Sequence, residues 1–367
     1  NLLNPGKTPA KNLPFLVFLM AVIKAVDDYA DLMRISASSA GNDHRLGGNE
    51  APPAIVSIFL GDELTAVLES IESDTHMGKQ EAVQIDIGAH VLPHFTKDNT
   101  DRNRTSPFAF TGNKFEFRML GSSASVATPN IVLNTAVAEA LAQFYQELEG
   151  TKPEDMEKAV HALLKRAIEK HKKIIFNGNG YSEEWVEEAE KRGLYNLVST
   201  PDCLPQFVAD KNVELFTRHH IFTKEEIFSR YEILLENYTK TVLIEARTLD
   251  EMLTKDFLPA VNAYAGETAQ NAASKKAFMP GLSTDSEEAL VSGLTEAYET
   301  LTEGIKELKS LTAKTSAVED ALEAAKLCHT KLLAKMDELA ETANKAEALI
   351  PDALLPYPTY DQLLFSL

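Results

Sequence analysis

Two long series of apolar residues near the C-terminal end of the chain constrain its fold most strongly. The first runs from Leu290 to Leu308 and the second from Val318 to Ala346, with apolar residues recurring every three or four positions. That spacing places them along one face of an α-helix, so each series predicts an amphipathic helix. The break near Thr312 to Ser316 separates the two, and we expect a helical hairpin over about residues 283–350.

Helical patterns also dominate the rest of residues 151–367. The segment from Lys152 to Phe176 is amphipathic, and Ser182 precedes a further helical pattern as an N-cap. Residues 223–247 and 248–270 continue in the same way. We therefore expect a mainly helical C-terminal region over residues 151–367.

Residues 1–150 combine helix and strand patterns. The apolar stretch from Pro14 to Met33 is too long for one strand and predicts a buried helix, and another helix is expected over residues 130–149. Between them, Phe108 to Leu120 alternates, which predicts a strand with its apolar and charged residues on opposite faces. We expect an α+β architecture, in which an antiparallel sheet with helices on its outer side precedes the helical region.

Composition narrows the function classes. The chain has 55 acidic and 36 basic residues and a formal net charge of −19, which opposes non-specific binding to nucleic acid or to an anionic membrane. The two cysteines, Cys203 and Cys328, are too few for a disulfide scaffold or a four-cysteine zinc site. The longest apolar run, Phe15 to Ile23, is about half of what a bilayer crossing requires. We expect a cytoplasmic protein that binds neither nucleic acid nor membrane.

A local reversal of charge marks the first candidate site. A stretch of 17 residues in this acidic chain contains four basic side chains and a single acidic one: Arg102, Arg104, Lys114, Glu116 and Arg118. The strand period places the last three on one face, where a carboxylate flanked by cations suits a metal that bridges phosphate groups. A solvated strand face with cross-strand ion pairs produces the same pattern, so both interpretations stay open.

The loop from Asn42 to Glu50 is the second candidate. It joins Arg45 to Glu50 through Leu-Gly-Gly-Asn, and glycines allow a backbone to approach a ligand closely. Arg45 is suited to clamp a substrate carboxylate, and Glu50 to close a site and accept a proton. An ordinary surface loop with an ion pair is the alternative.

Three runs in the first 150 residues carry a family resemblance. They are Asn42-Asp-His-Arg-Leu-Gly-Gly-Asn-Glu-Ala-Pro-Pro, Arg102-Asn-Arg-Thr and Lys114-Phe-Glu-Phe-Arg. Their combination and order resemble glutamine synthetase, and more specifically its long type III form. The resemblance implies the ligation of ammonia to glutamate at the expense of ATP, through a γ-glutamyl phosphate and with Mg²⁺ or Mn²⁺ ions.

On the substrate side, the resemblance implies that Arg45 binds the glutamate carboxylate and that Arg118 is a second clamp on glutamate. Glu50 is implied to be the flap residue that closes the site and takes a proton from ammonium. On the phosphate side, Arg104 is implied to contact the transferring phosphoryl group and the nucleotide. Lys114 stands where the family usually has an ATP-contacting arginine.

The same resemblance implies that Glu116 is a ligand of one of the metal ions. It identifies residues 1–150 as the C-terminal part of the catalytic domain, and residues 151–367 as the helical region of the type III form. The family's other metal ligands, including a histidine, are expected to precede residue 1. We therefore expect the catalytic domain to be incomplete at its N-terminus and the 367 residues alone to be inactive. For the full enzyme, the family implies a homo-oligomer of stacked hexameric rings.

Two alternatives remain open from the sequence. One is a related ligase that joins the γ-carboxyl group of glutamate to an amine other than ammonia. The other is a helical oligomerisation or interaction module, in which residues 151–367 serve mainly to dock subunits or partners.

Overall fold

The computed structural model describes residues 1–48, 51–74, 84–85, 95–96 and 105–365. The chain forms two compact units, residues 1–231 and 232–367. In the first unit, helices from both sides of residue 150 pack against one another, so the predicted division at residue 150 is not a boundary between compact units. As a division between family domains it stays a prediction.

The first unit is mostly helical. Its described helices are α1 (Leu13–Asp28), α2 (Ala30–Ser36), α3 (Ala40–Arg45), α4 (Asp62–Glu72), α5 (Ala127–Leu148), α6 (Met156–His171), α7 (Glu183–Lys191), α8 (Thr200–Cys203) and α9 (Asp210–Arg218), and α10 (Lys224–Met252) begins at its end. Its described strands are β1 (Ile58–Phe59), β2 (Gln84–Ile85), β3 (Phe95–Thr96), β4 (Phe108–Phe110) and β5 (Phe115–Phe117). The helices predicted near residues 130–149, 152–176 and after the Ser182 cap are all present.

Helix α1 lies in the core of this unit. The Asn12 side chain accepts a hydrogen bond from the backbone N–H of Phe15. Pro14 lies in the first turn, where backbone N–H groups have no acceptor within the helix, so the N–H that proline lacks costs no hydrogen bond. Helices α5 and α6 pack against α1. Its apolar side chains are almost fully buried, among them Phe15, Leu19, Met20 and Ile23.

The buried helix predicted from Pro14 to Met33 is interrupted. Helix α1 ends at Asp28, and Tyr29, with φ −123° and ψ 31°, lies outside the helical region of the backbone map before α2 begins. The first part of the loop predicted from Asn42 to Glu50 is also helical, because it lies in the short helix α3, whose N-terminus is capped by the Ser39 side chain. An interruption at a single residue leaves the apolar pattern intact, so the pattern did not indicate it.

The small central sheet is mixed rather than antiparallel. Strand β4 lies between β1, to which it is parallel, and β5, to which it is antiparallel; β2 and β3 form a separate antiparallel pair. The connection from β1 to β4 contains helix α4, and parallel neighbours need such a long crossover. The strand predicted over Phe108 to Leu120 is a hairpin, because the chain turns at Gly112-Asn113. Gly112 adopts φ +90°, which a glycine tolerates without strain.

The second unit contains the predicted helical hairpin. Its helices are the remainder of α10, α11 (Leu258–Phe278), α12 (Asp285–Ser316), α13 (Ala321–Leu327), α14 (Leu333–Glu347) and the short α15 (Tyr360–Leu364). Helix α12 packs against both α11 and α14. The turn falls just after Ser316, beyond the predicted break, and the Asp320 side chain caps the next helix.

Two wide π-helical turns interrupt the long helices of this unit, at Leu253–Phe257 and Cys328–Leu332, and both contact α12. Beyond the second turn, Leu339 lies against Gly304 of α12, where a β-carbon would approach its side chain within 2.6 Å. The two helices are therefore closely packed at this level. None of the helices in the described part of the chain has the length and apolar character needed to cross a membrane.

Candidate active-site hairpin

The β4–β5 hairpin presents a charged face because its other face is aromatic. The Phe115 ring stacks on Phe108 with centroids 4.8 Å apart and meets Phe110 edge-on at 5.2 Å. Phe110 in turn contacts Phe15 of α1 at 6.2 Å. Since alternate residues of a strand point to opposite faces, this packing places Lys114, Glu116 and Arg118 together on the other face, as predicted.

Glu116 is the centre of the charged face. Its Oε1 accepts a hydrogen bond of 3.1 Å from Thr111 Oγ1, and its Oε2 accepts one of 3.1 Å from Arg118 Nη2. Lys114 Nζ lies 3.4 Å from Oε1. The Arg118 side chain is 16% exposed and that of Glu116 is 38% exposed, so the arginine is held in place while the carboxylate remains within reach of a ligand.

These contacts keep Glu116 ionised. Partial desolvation is the largest single influence and acts to raise its pKa, but hydrogen bonds from Arg118, Thr111 and Lys114 together outweigh it and hold the pKa below its usual value. An ionised carboxylate oxygen is the kind of ligand that Mg²⁺ and Mn²⁺ prefer. Glu116 therefore fits one ligand position of such a cation.

The described residues do not complete a metal site at Glu116. Among them, the one group of three or more histidine, cysteine or acidic side chains close enough to hold a metal ion is Asp27, Asp28 and His171. There, His171 Nδ1 lies 2.7 Å from Asp27 Oδ2, and Lys24 and Lys173 form ion pairs with the two carboxylates. Because lysines already neutralise the carboxylates, we interpret this group as a structural link between α1 and α6 and not as a metal site. Asp27 and His171 are 144 positions apart in the sequence, so sequence patterns could not indicate their contact.

Arg45 lies beside the end of the hairpin. Its Nη2 donates a hydrogen bond of 2.6 Å to the carbonyl oxygen of Met119, the residue after Arg118, and its Nε donates one of 2.9 Å to Asn42 Oδ1. Asn42 is buried, and its amide donates to the carbonyl oxygens of Met119 and Ala37. The structure thus brings the loop candidate next to the hairpin, which sequence spacing alone could not establish.

Glu50 and Arg104, as well as Arg102, lie outside the described residues, but the backbone on both sides of Glu50 is fixed. The Gly47 N–H donates to the Pro52 carbonyl at 3.0 Å, and the Ala51 N–H donates to the Gly48 carbonyl at 3.0 Å. Gly47 has φ +83°, a conformation that favours glycine. The two glycines noted in the sequence are therefore hydrogen-bonded to the residues that follow Glu50.

Gly180 lies where the chain segments that flank Glu50 and Arg104 meet. A β-carbon at this position would approach the Thr105 carbonyl oxygen within 2.7 Å and Pro53 within 3.4 Å. Nearby, Asn177 Oδ1 accepts hydrogen bonds from the backbone of Leu60 and Gly61. The Asn177-Gly-Asn-Gly turn, which lacks the features of a phosphate loop, therefore supports the candidate site from the helical region.

Comparison with known proteins shows which protein family the chain resembles. A family model described as the glutamine synthetase C-terminal domain matches residues 159–276. The chain is 47% identical over 368 residues to a glutamine synthetase of Butyrivibrio fibrisolvens and 40% identical over 370 residues to a type-3 glutamine synthetase of Dictyostelium discoideum. A glutamine synthetase of Bacteroides fragilis is 36% identical over 389 residues.

These alignments cover 100% of the present chain but 52%, 50% and 51% of the respective relatives. The chain thus spans about half the length of the curated relatives it matches. The resemblance inferred from the three motifs is confirmed, and it extends over the whole chain.

We expect Glu116→Gln to lower stability in a pH-dependent way. Because the folded-state pKa of Glu116 is depressed, its ionised form contributes stability above the unfolded-state pKa, and this contribution is lost as the pH falls through the folded-state value. The free energy of unfolding of the variant should therefore fall below that of the wild type at pH 7, and the deficit should be smaller at pH 3. Urea denaturation at both values measures this, with the exposed Glu154→Gln as control; an equal deficit at both pH values would contradict it.

We expect Gly180→Ala to destabilise the first unit by about 1–3 kcal/mol, because the added methyl group meets a backbone carbonyl that has to move. Gly266→Ala is the matched control, since Gly266 lies in α11 with no atom within 4 Å of a β-carbon there. That substitution should stabilise its helix by about 0.5–1 kcal/mol. Thermal unfolding of both variants distinguishes the two effects, and equal shifts would be evidence against the close packing at Gly180.

Proposed function

Because the chain carries the glutamine synthetase C-terminal domain and aligns along its whole length with members of that family, we propose that it is part of an ATP-dependent ligase that joins ammonia to glutamate. The observation that carries the proposal is the ionised Glu116 held between Arg118 and Lys114, with Arg45 docked on the carbonyl of the residue after Arg118. These residue types suit a reaction between one substrate that carries carboxylates and another that carries phosphates.

The proposed reaction has two steps. The γ-carboxylate oxygen of glutamate attacks the terminal phosphorus of ATP, the bond to ADP breaks, and γ-glutamyl phosphate forms. Ammonia then attacks the acyl carbon, phosphate leaves, and glutamine results. Negative charge on the transferring phosphoryl group has to be balanced throughout, and in this proposal Arg104 and Lys114 are the cations that do so.

Arg45 and Arg118 are proposed to hold glutamate. A guanidinium group offers parallel N–H donors that match a carboxylate, and a guanidinium restrained by other contacts loses less freedom on binding. Both guanidinium groups are restrained in this way, since Arg118 is hydrogen-bonded to Glu116 and Arg45 is hydrogen-bonded to Asn42 and Met119. They would fix the amino acid beside the phosphate-binding cations.

Glu116 is proposed to supply one oxygen ligand to Mg²⁺ or Mn²⁺, with the remaining ligands coming from outside the described residues. When bound, such a cation would add positive charge next to the phosphate oxygens of ATP. The hydrogen bonds from Thr111 and Arg118 would orient the carboxylate and keep it ionised for this purpose.

Glu50 is proposed to close the site and to accept a proton from ammonium, which generates the nucleophile. An acyl phosphate reacts with water, so a closing loop protects it. The hydrogen bonds from Gly47 to Pro52 and from Ala51 to Gly48 support this assignment, because they fix both ends of the segment that carries Glu50. We further propose that the full enzyme is a cytoplasmic homo-oligomer of stacked hexameric rings.

Incubation of the native protein that contains these residues with glutamate, ammonium, ATP and Mg²⁺ tests the proposal. We expect equimolar glutamine, ADP and phosphate, measured by chromatography. The 367 residues alone should give no glutamine under the same conditions, because the described residues bring one metal-ligating carboxylate to the charged face. Robust synthesis by the 367 residues alone would contradict the second expectation, and absence of glutamine from the native protein would contradict the first.

Glu50→Ala should reduce ammonia-dependent synthesis by at least about 100-fold at pH 7, where ammonia is mostly protonated, because the acceptor for the ammonium proton is removed. Binding of ATP, measured by calorimetry, should change little. Asp210→Asn is a control on an exposed acid. If the native protein instead used putrescine or methylamine more efficiently than ammonia, the chain would be a γ-glutamyl-amine ligase.

A further inference from the structure

A buried arginine joins α3, the short helix that ends at Arg45, to a part of the helical region that is distant in sequence. Arg34, at the end of α2, is 1% exposed. Its Nε donates to the Leu197 carbonyl at 2.8 Å, and its Nη2 donates to the Val198 carbonyl at 2.9 Å. On the other side, its guanidinium donates to Ser38 Oγ at 3.1 Å and to Asp43 Oδ1 at 2.8 Å.

Asp43 completes the connection. While Oδ1 accepts from Arg34, Oδ2 accepts a hydrogen bond of 2.6 Å from the backbone N–H of Thr200. Its side chain is only 13% exposed, so both oxygens are used in a largely water-free setting where charge-assisted hydrogen bonds are strong. One carboxylate therefore ties α3 to two separate chain segments.

Asp43 lies two residues before Arg45 on the same short helix. Helix α3 has six residues, too few to be stable without tertiary contacts. Its orientation is set by Asp43 on one side and by Asn42 on the other, and the orientation of the helix determines where the Arg45 guanidinium lies. The Asp43 contacts thus act on Arg45 at a distance, without touching the charged hairpin.

We propose that Arg34 and Asp43 are positioning residues for glutamate binding: they transmit the placement of residues 197–200 to Arg45. The proposal rests on the role assigned to Arg45 under the proposed function. Residues 197–200 lie within the stretch matched by the glutamine synthetase C-terminal domain. That domain therefore contributes to the substrate site through this connection.

Asp43→Asn is the sharpest test, because it keeps the shape of the side chain but replaces one of its two acceptors by a donor. That donor then faces either the Arg34 guanidinium or the Thr200 N–H, both of which are donors themselves. Removal of Arg34 itself would also leave the Leu197 and Val198 carbonyls without their donor and would confound the result with unfolding. In the native protein we expect the KM for glutamate to rise at least about 10-fold, equivalent to about 1.4 kcal/mol, with the KM for ATP unchanged within two-fold. Asp210→Asn should leave both constants unchanged.

Hydrogen exchange gives a readout that does not depend on activity. Amides of residues 42–46 should exchange faster in Asp43→Asn than in the wild type or in Asp210→Asn. If Asp43→Asn does not fold, Thr200→Pro removes the N–H donor to Asp43 together with the buried Thr200 hydroxyl. The change falls at the first position of a helix, where proline is tolerated, and the same changes are expected.

The outcomes are distinguishable. An unchanged KM for glutamate, or equal increases for glutamate and ATP, would overturn the positioning role while glutamine synthesis by the wild type still upheld the proposed function. Unchanged exchange at residues 42–46 would overturn the connection through Asp43 whether or not the native protein makes glutamine. Failure of the wild type to make glutamine would overturn the proposed function.

Discussion

The packing of phenylalanine rings beneath the hairpin is the constraint on which the candidate site depends. Phe108, Phe110 and Phe115 form a contiguous aromatic layer that reaches Phe15 of the buried helix α1. A strand with one face committed to a core has no freedom of register, since a slip of one residue would expose the rings and bury the charges. The position of Glu116 is therefore determined by its apolar neighbours as much as by its ion pairs.

The elements that could be predicted from the sequence are those encoded by local periodicity. The amphipathic series from Leu290 onward predicted the helical hairpin of the second unit, and the alternation around Glu116 predicted the shared face of the charged residues. Ser182 was recognised as an N-cap because capping depends on residues three positions apart. The three family motifs lie within short stretches as well, and the comparisons extend their resemblance over the full chain.

The features that could not be predicted depend on contacts between distant residues or on single backbone angles. The break at Tyr29 and the turn at Gly112 leave the apolar pattern unchanged. The parallel pairing of β1 with β4 depends on a crossover, which no periodicity reveals. The contacts of Asp43 with Thr200 and of Asp27 with His171 join residues more than 140 positions apart. A single sequence carries no signal for such pairs.

Because of its two π-helical turns, the packing of the second unit depends on the number of residues in its helices as well as on their apolar pattern. Each such turn takes in about one residue more than an α-helical turn, so the side chains beyond it are rotated by about 100° relative to an uninterrupted helix. Loss of one residue from Cys328–Leu332 would restore a regular helix but carry Leu339 away from Gly304. In this unit, single-residue deletions should thus be tolerated less well than substitutions, even where the deleted residue makes no contact of its own.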